Sequence, residues 1–208
     1  MNKLNNKNHW YDGWFYEKFI APNQDKLFKQ IKNLIEPNSK VIDVGCGTGR
    51  FSFYAADKCK SILGIDLSEK NIKRANIMLK KKSISNISFQ HKSVSKIISN
   101  DKEHFDYAVM TYVIHEVNEQ DRITLINEIK QISDKIIVGE YLVPRKKSFA
   151  CFVNELVEYF AGREHYKNFK SYVKNGGIHA LVKETKLKII TEINNQPKTS
   201  QLVVLGKS

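Results

Sequence analysis

The sequence predicts an α/β fold: a doubly wound sheet of seven strands, mostly parallel with a C-terminal antiparallel β-hairpin, and helices on both faces. Three observations carry that expectation. Short apolar, β-branched runs alternate with segments of helical period through the first two thirds of the chain, the pattern of a parallel sheet wound with helices. The first such run, Val41-Ile-Asp-Val44, opens directly into a glycine-rich turn, Gly45-Cys-Gly-Thr-Gly49. Near the end, two β runs (186–193 and 201–205) are separated only by Asn194–Thr199, a connection too short for a crossover and suited to a hairpin.

Taken in order, residues 1–24 are polar with interspersed aromatics (Trp10, Tyr11, Trp14, Phe15, Tyr16, Phe19) and read as an N-terminal cap segment. Leu27, Phe28, Ile31, Leu34 and Ile35 form the apolar face of a first helix, which Glu36-Pro37-Asn38 ends. Lys40–Val44 is the first strand, Phe51–Lys58 a helix, and Ser61–Asp66 the second strand. Ser68 is placed to cap a helix that turns Ile72, Ala75, Met78 and Leu79 inward, with Glu69 in its first turn and Lys80-Lys81-Lys82 at its end, as the helix dipole favours. Asn86–His91 and Phe105–Thr111 are the third and fourth strands. Asn118 starts a helix carrying Ile123, Ile126, Ile129 and Ile132 on one face, and Lys135–Val143 is the fifth strand. Roughly forty residues then precede the hairpin, more than one crossover helix needs. Phe149–Phe160 reads as a helix packing Phe152, Val153, Leu156, Val157 and Phe160 into core, and Gly176-Gly177 breaks the chain before a last helix over 178–185. Residues 1–208 are read as a single domain, with 145–175 a helical lid insert beyond the carboxyl end of a strand, where parallel sheets hold their ligands.

The glycine turn and Asp66 specify a cofactor grip. Glycines let the backbone bend tightly and approach a ligand, the following helix offers unpaired N–H groups, and an acid at the end of the next strand accepts hydrogen bonds from two ribose hydroxyls. Dinucleotide sites use G-x-G-x-x-G. Here the third glycine comes one residue early and Asp43 stands two residues before the first.

This D-x-G-x-G-x-G pattern, followed by Gly64-Ile-Asp66-Leu-Ser68, resembles the class I S-adenosylmethionine-dependent methyltransferases, over roughly residues 25–142. The resemblance implies a Rossmann-like fold, S-adenosylmethionine as cofactor and S-adenosylhomocysteine as product. It also implies that Gly45, Cys46, Gly47 and Gly49 cradle the methionine end, that Asp43 orders the loop and the cofactor's amino group, and that Asp66 with Leu67 holds the ribose side. Ser93 stands where the family commonly has an Asp for the adenine amino group, so Ser93 or the backbone of Val94 takes that contact. Thr111 closes the cofactor set at the end of the fourth strand.

Methyl transfer from a sulfonium needs alignment above all, and a base only where the acceptor arrives protonated. The end of the fourth strand, Thr111-Tyr112-Val113-Ile114-His115-Glu116, carries no [DNS]-P-P-[YFW] motif of adenine amino-methylases, no Pro-Cys of cytosine-C5 methylases and no paired glutamates of protein arginine methyltransferases. His115 is a candidate general base, its alternative role being to order this loop. His165 and Tyr166 in the insert are further catalytic candidates. With Tyr11, Tyr16, Tyr112 and His115 they make an aromatic pocket suited to a small, partly apolar acceptor. No H-E-x-x-H spacing occurs, and Cys46, Cys59 and Cys151 are dispersed, so the expectation is no metal site, no disulfide framework and a cytoplasmic setting. No apolar run reaches membrane-spanning length.

A formal net charge of +12 suggests nucleic acid, but of 34 basic residues five are arginine, the residue that recognises phosphate bidentately. Lysine, asparagine and isoleucine together are what an AT-rich genome writes, and a solvated lysine surface is the simpler reading. The leading expectation is transfer to a small-molecule acceptor. An RNA methyltransferase is the alternative within enzymes, and a non-catalytic interaction protein of the same fold the alternative outside them.

Overall fold

The computed structural model describes residues 21–100, 103–195 and 198–207. Tyr11 and Tyr16, with nearly all of the expected cap segment, lie outside the described residues. α1 (Ala21–Leu34) precedes β1 (Lys40–Val44), followed by α2 (Arg50–Ala55), β2 (Ser61–Asp66), α3 (Glu69–Lys82), β3 (Ile87–His91), α4 (Val94–Asn100), β4 (Phe105–Thr111), α5 (Glu119–Ile132) and β5 (Ser133–Tyr141). α6 (Phe149–Phe160), α7 (Arg163–Lys174) and α8 (Gly177–Thr185) then lead into β6 (Leu187–Asn194) and β7 (Ser200–Lys207).

The strands form one seven-stranded sheet in the order β3-β2-β1-β4-β5-β7-β6. β1 through β5 pair in parallel, and β7 runs antiparallel between β5 and β6. Strand alternation divides the interior into two layers. In β1, Ile42 and Val44 face the layer built with Val94, Ile126, Ile129, Tyr172 and Ile178. Val41 faces the other, with Leu27, Phe28, Ile31, Phe51 and Ile72. Because β2 and β3 lie on one side of β1 and β4 on the other, the winding reverses between β1 and β4, and the carboxyl ends of these strands define the crevice in which such sheets hold ligands.

Local chemistry sets the boundaries. Ser68 accepts the N–H of Asn71 at 3.3 Å and so caps α3, whose last turn holds Lys80, Lys81 and Lys82. Ile72 and Ala75 are buried as expected, whereas Met78 is exposed. α2 is shorter than the expected 51–58 and ends at Ala55.

Two helices turn differently from their apolar patterns. In α5 the buried positions are Arg122, Ile126, Ile129 and Ile132. Arg122 displaces Ile123 from the core face because its guanidinium is fully engaged: Nε donates to the Val117 carbonyl at 3.0 Å, one terminal nitrogen to Ser171 Oγ at 3.2 Å and the other to the Asn168 carbonyl at 2.6 Å. In α6 the expected core face points outward, with Phe152 and Phe160 each 58% exposed, while Cys151 and Glu158 are buried. Polar pairs orient this helix: Tyr141 Oη donates to Glu158 Oε1 at 2.5 Å, and Tyr166 Oη and Lys170 Nζ both donate to Glu155 Oε1. The apolar anchors of the insert belong instead to α7, through Phe169 and Tyr172. Among the described residues no helix is long and apolar enough to cross a membrane.

Candidate active site

The candidate donor half of the site is the turn between β1 and α2. Gly45, Gly47 and Gly49 all adopt positive φ, at 70°, 55° and 82°, a region costly for other residues. The turn hangs on the end of β2: Gly45 and Cys46 donate to the Ile65 carbonyl at 2.8 and 3.0 Å. Asp66 completes the attachment, accepting from the Gly47 N–H at 2.8 Å and from the Ser68 N–H at 2.7 Å, one bond to each carboxylate oxygen. A carboxylate offers about four lone-pair positions, so acceptor capacity remains beyond these two backbone bonds, with Asn71 also directed to it.

A side chain at Gly47 would meet nothing within 4 Å, so the turn is open where a ligand approaches, whereas one at Gly45 would lie 2.5 Å from Val113 Cγ2. Open backbone at Gly47, an acid with acceptor capacity and exposed Leu67 beside it fit the ribose and methionine portions of a nucleoside cofactor.

Asp43 lies beneath the turn rather than in it. It is buried and accepts from Ser52 Oγ at 2.6 Å, tying β1 to α2. Burial pushes its carboxyl up to about 7. Ser93 precedes α4 and caps it through its carbonyl, with its hydroxyl 2.8 Å from that of Ser95. Val94 buries its side chain in the core, leaving its backbone at the helix start. Thr111 ends β4 beside Gly139 of β5. Tyr112 then takes a left-handed φ of 57°, a conformation that non-glycine residues adopt at a cost and that clusters at functional sites.

Beyond Tyr112, four buried polar side chains (His115, Glu140, Glu158 and His165) meet, with half-buried Glu116 at their edge. His115 Nδ1 lies 2.8 and 2.9 Å from the two carboxylate oxygens of Glu140, and its Nε2 lies 3.5 Å from Glu158 Oε2. His165 Nε2 hydrogen-bonds that same Glu158 oxygen, and its Nδ1 is 4.0 Å from Glu116 Oε2. Burial opposes charge on His115, but Glu140 and Glu158 prevail and hold its pKa well above the ordinary value. Burial likewise works against ionised Glu158, and His115 and His165 hold it well below the usual carboxylate range. A protonated imidazole cannot accept a proton, so this geometry favours the loop-ordering role of His115 over that of general base. Tyr166 is directed to Glu155 on α6 and joins the two insert helices rather than the buried cluster.

Sequence reasoning missed Glu140, Tyr141 and Glu158. Glu140 and Tyr141 end the apolar strand β5, and a polar pair at the carboxyl end of a parallel strand was the signal available. Glu158 had none, being set among the apolar residues of α6.

A β–α turn with three left-handed glycines, tied through Gly47 to an acid at the end of the neighbouring strand, has the form of a Rossmann-like site for a nucleoside-containing cofactor. A family model described as a methyltransferase domain matches residues 35–138, half of the chain, and the chain belongs to that family, whose class I members use S-adenosylmethionine. It is 33% identical over 106 residues to the ubiquinone biosynthesis O-methyltransferase of Pelagibacter ubique, covering 50% of this chain and 42% of that protein. It is 31% identical over 104 residues to an uncharacterized RNA methyltransferase of Mycoplasma mobile, covering 50% and 28%. The chain thus spans less than half the length of these curated relatives. Among solved structures, the magnesium protoporphyrin IX methyltransferase of Synechocystis with bound S-adenosylhomocysteine superposes with a TM-score of 0.68 at 16% identity, covering 95% of this chain and 91% of that one. The N-methyltransferase NodS of Bradyrhizobium japonicum gives 0.63 at 16%, covering 98% and 94%. These likenesses establish the fold, including its antiparallel C-terminal strands.

Proposed function

We infer that this chain transfers the methyl group of S-adenosylmethionine to a small-molecule acceptor. The carrying observation is the paired geometry of the donor turn: Asp66 accepts the Gly47 N–H, and the space beyond Gly47 is open. The cofactor supplies an already activated methyl on a positively charged sulfur. What remains for the chain is to bind, orient and exclude water. Asp66 and Leu67 hold the ribose side in this reading, Ser93 and Val94 the adenine, and Gly45, Cys46, Gly47, Gly49 and Thr111 the methionine end. Tyr112 and the 145–175 insert enclose the acceptor as a lid.

Partly exposed Tyr112, backed by the buried rings of Tyr141 and Phe169, supports a small, partly apolar substrate. Tyr112 and Tyr141 rings lie 5.3 Å apart, as do those of Tyr141 and Phe169. Arg50 is drawn into contacts with Gln24 and Asp25, Arg122 into the core, and Arg145 onto the Cys151 carbonyl. The RNA reading is supported by likeness to several RNA methyltransferases, alongside the net charge of +12. Tritiated S-adenosylmethionine offered with small-molecule pools and, in parallel, with an RNA fraction tests the choice. Label entering small molecules supports the reading. Label entering RNA alone, with binding that falls steeply as salt rises, overturns it.

Asp43 gives the reading a pH signature. Burial raises its carboxyl from the ordinary 3.8 to about 7, against the opposing hydrogen bond from Ser52. The folded state therefore holds this proton more tightly than the unfolded chain. The associated stabilisation is complete below 3.8 and is lost as pH rises through about 7. The ionised form attracts a cationic amino group. Affinity for S-adenosylhomocysteine is expected to rise from about pH 6 to about pH 8, with proton release, and to be flat in Asp43→Asn. Calorimetric titration in buffers of differing ionisation enthalpy reads both effects. A wild-type profile as flat as the variant's would remove Asp43 from the cofactor site.

A further inference from the structure

The buried cluster beyond β4 has the composition of a metal-ligand set. His115 comes from the loop after β4, Glu158 from α6 and His165 from α7, and one donor atom of each lies within 4.8 Å of the other two. All three residues are buried. Two imidazole nitrogens and one carboxylate oxygen suit a first-row divalent transition ion and are a poor match for magnesium or calcium, which take oxygen ligands.

The surroundings are those that metal-binding histidines require. An imidazole ligand is oriented by an acceptor on its other nitrogen, and Glu140 occupies that position on His115 at 2.8 Å, aiming Nε2 toward Glu158. Glu116 stands on the far side of His165, 4.0 Å from Nδ1. The second oxygen of Glu158 is held by the Tyr141 hydroxyl at 2.5 Å, leaving Oε2 to face the two histidines. Charge points the same way. Glu116, Glu140 and Glu158 set three carboxylates around the two imidazoles, and a divalent ion would displace the imidazolium protons and take over their role in balancing this charge. The Glu116 side chain is 40% exposed, so the cluster reaches solvent on that side.

We propose that His115, Glu158 and His165 bind a divalent transition ion, zinc(II) being the best chemical match, and that the ion fastens α6 and α7 to the loop after β4. Sequence spacing does not reveal this site, because its ligands come from three separate elements. The ligands are distinct from the residues assigned to the cofactor, so the proposal stands independently of the methyl-transfer reading.

The test uses the full chain, stripped with a chelator, loaded with zinc(II) or cobalt(II), dialysed at neutral pH and assayed for bound metal. About one equivalent is expected to remain. Cobalt(II) should give the intense visible absorption of a four- or five-coordinate site, and zinc(II) should raise the thermal unfolding midpoint, since a ligand of the native state stabilises it. His165→Ala and Glu158→Gln should each lose the ion, whereas His179→Ala, on the surface, should keep it. Binding of S-adenosylhomocysteine by the same variants reports that they are folded. Wild-type protein retaining less than about a tenth of an equivalent overturns the proposal. So does retention by both ligand variants at the wild-type level, which would put the ion elsewhere.

Discussion

Asp66→Ala is expected to weaken S-adenosylhomocysteine binding by at least about tenfold while the fold persists. The carboxylate of Asp66 already accepts the N–H groups of Gly47 and Ser68, one on each oxygen. In the proposed complex the remaining acceptor directions take the two ribose hydroxyls. A hydrogen bond to a charged group contributes about 1.5–3 kcal/mol, and about 1.4 kcal/mol is a factor of ten in affinity, so losing either ribose bond suffices. The substitution also frees the Gly47 N–H, and the donor turn loses one of its attachments to β2. Asp66→Asn separates the two effects: it keeps the shape and one acceptor oxygen but not the charge, and an intermediate loss is expected. Calorimetric titration measures the affinities, and circular dichroism the fold. An affinity unchanged in Asp66→Ala would place the ribose elsewhere.

Arg122→Ala is expected to carry the largest cost to stability, about 3 kcal/mol or more. Its guanidinium is buried and serves three acceptors in two other segments: the Val117 carbonyl, Ser171 Oγ and the Asn168 carbonyl. It also lies 5.6 Å from the centre of the Tyr172 ring. Truncation leaves two carbonyls and a hydroxyl without their donor and opens a cavity beneath α7. For a chain of this size each kcal/mol lowers the melting temperature by about 2–4 °C, so a fall of about 6–12 °C is expected, with a matching change in urea unfolding. Arg122→Lys should recover only a small part of this, since one ammonium cannot span three acceptors set at these positions. A loss below about 1 kcal/mol would mean that water replaces the guanidinium at little cost.

The sheet and the donor turn were legible because their signals are local. Residues 41–49 are contiguous, Asp66 ends the adjacent strand, and parallel pairing of Val44 with Ile65 brings the two together. The acceptor side was not legible, for a physical reason seen in α6. Its apolar pattern predicts burial of Phe152, Leu156 and Phe160, yet hydrogen bonds from Tyr141 and His165 to Glu158 turn the charged face inward. A few strong polar pairs outweigh an apolar stripe there, and no period in the sequence records which partner a carboxylate will meet. Arg122 in α5 is the same case: its partners are 46 and 49 residues further along the chain.

The glycine at position 45 has a mechanical consequence. Its missing side chain is the space into which Val113 fits, with only 2.5 Å between Val113 Cγ2 and where a Cβ would sit. Val113 belongs to the stretch that leads from Tyr112 to His115, so the glycine turn after β1 and the loop after β4 are geared to each other through one isopropyl group. Widening either tooth displaces the other, and in the proposed complex the spacing of donor and acceptor follows from how these two stretches of backbone mesh.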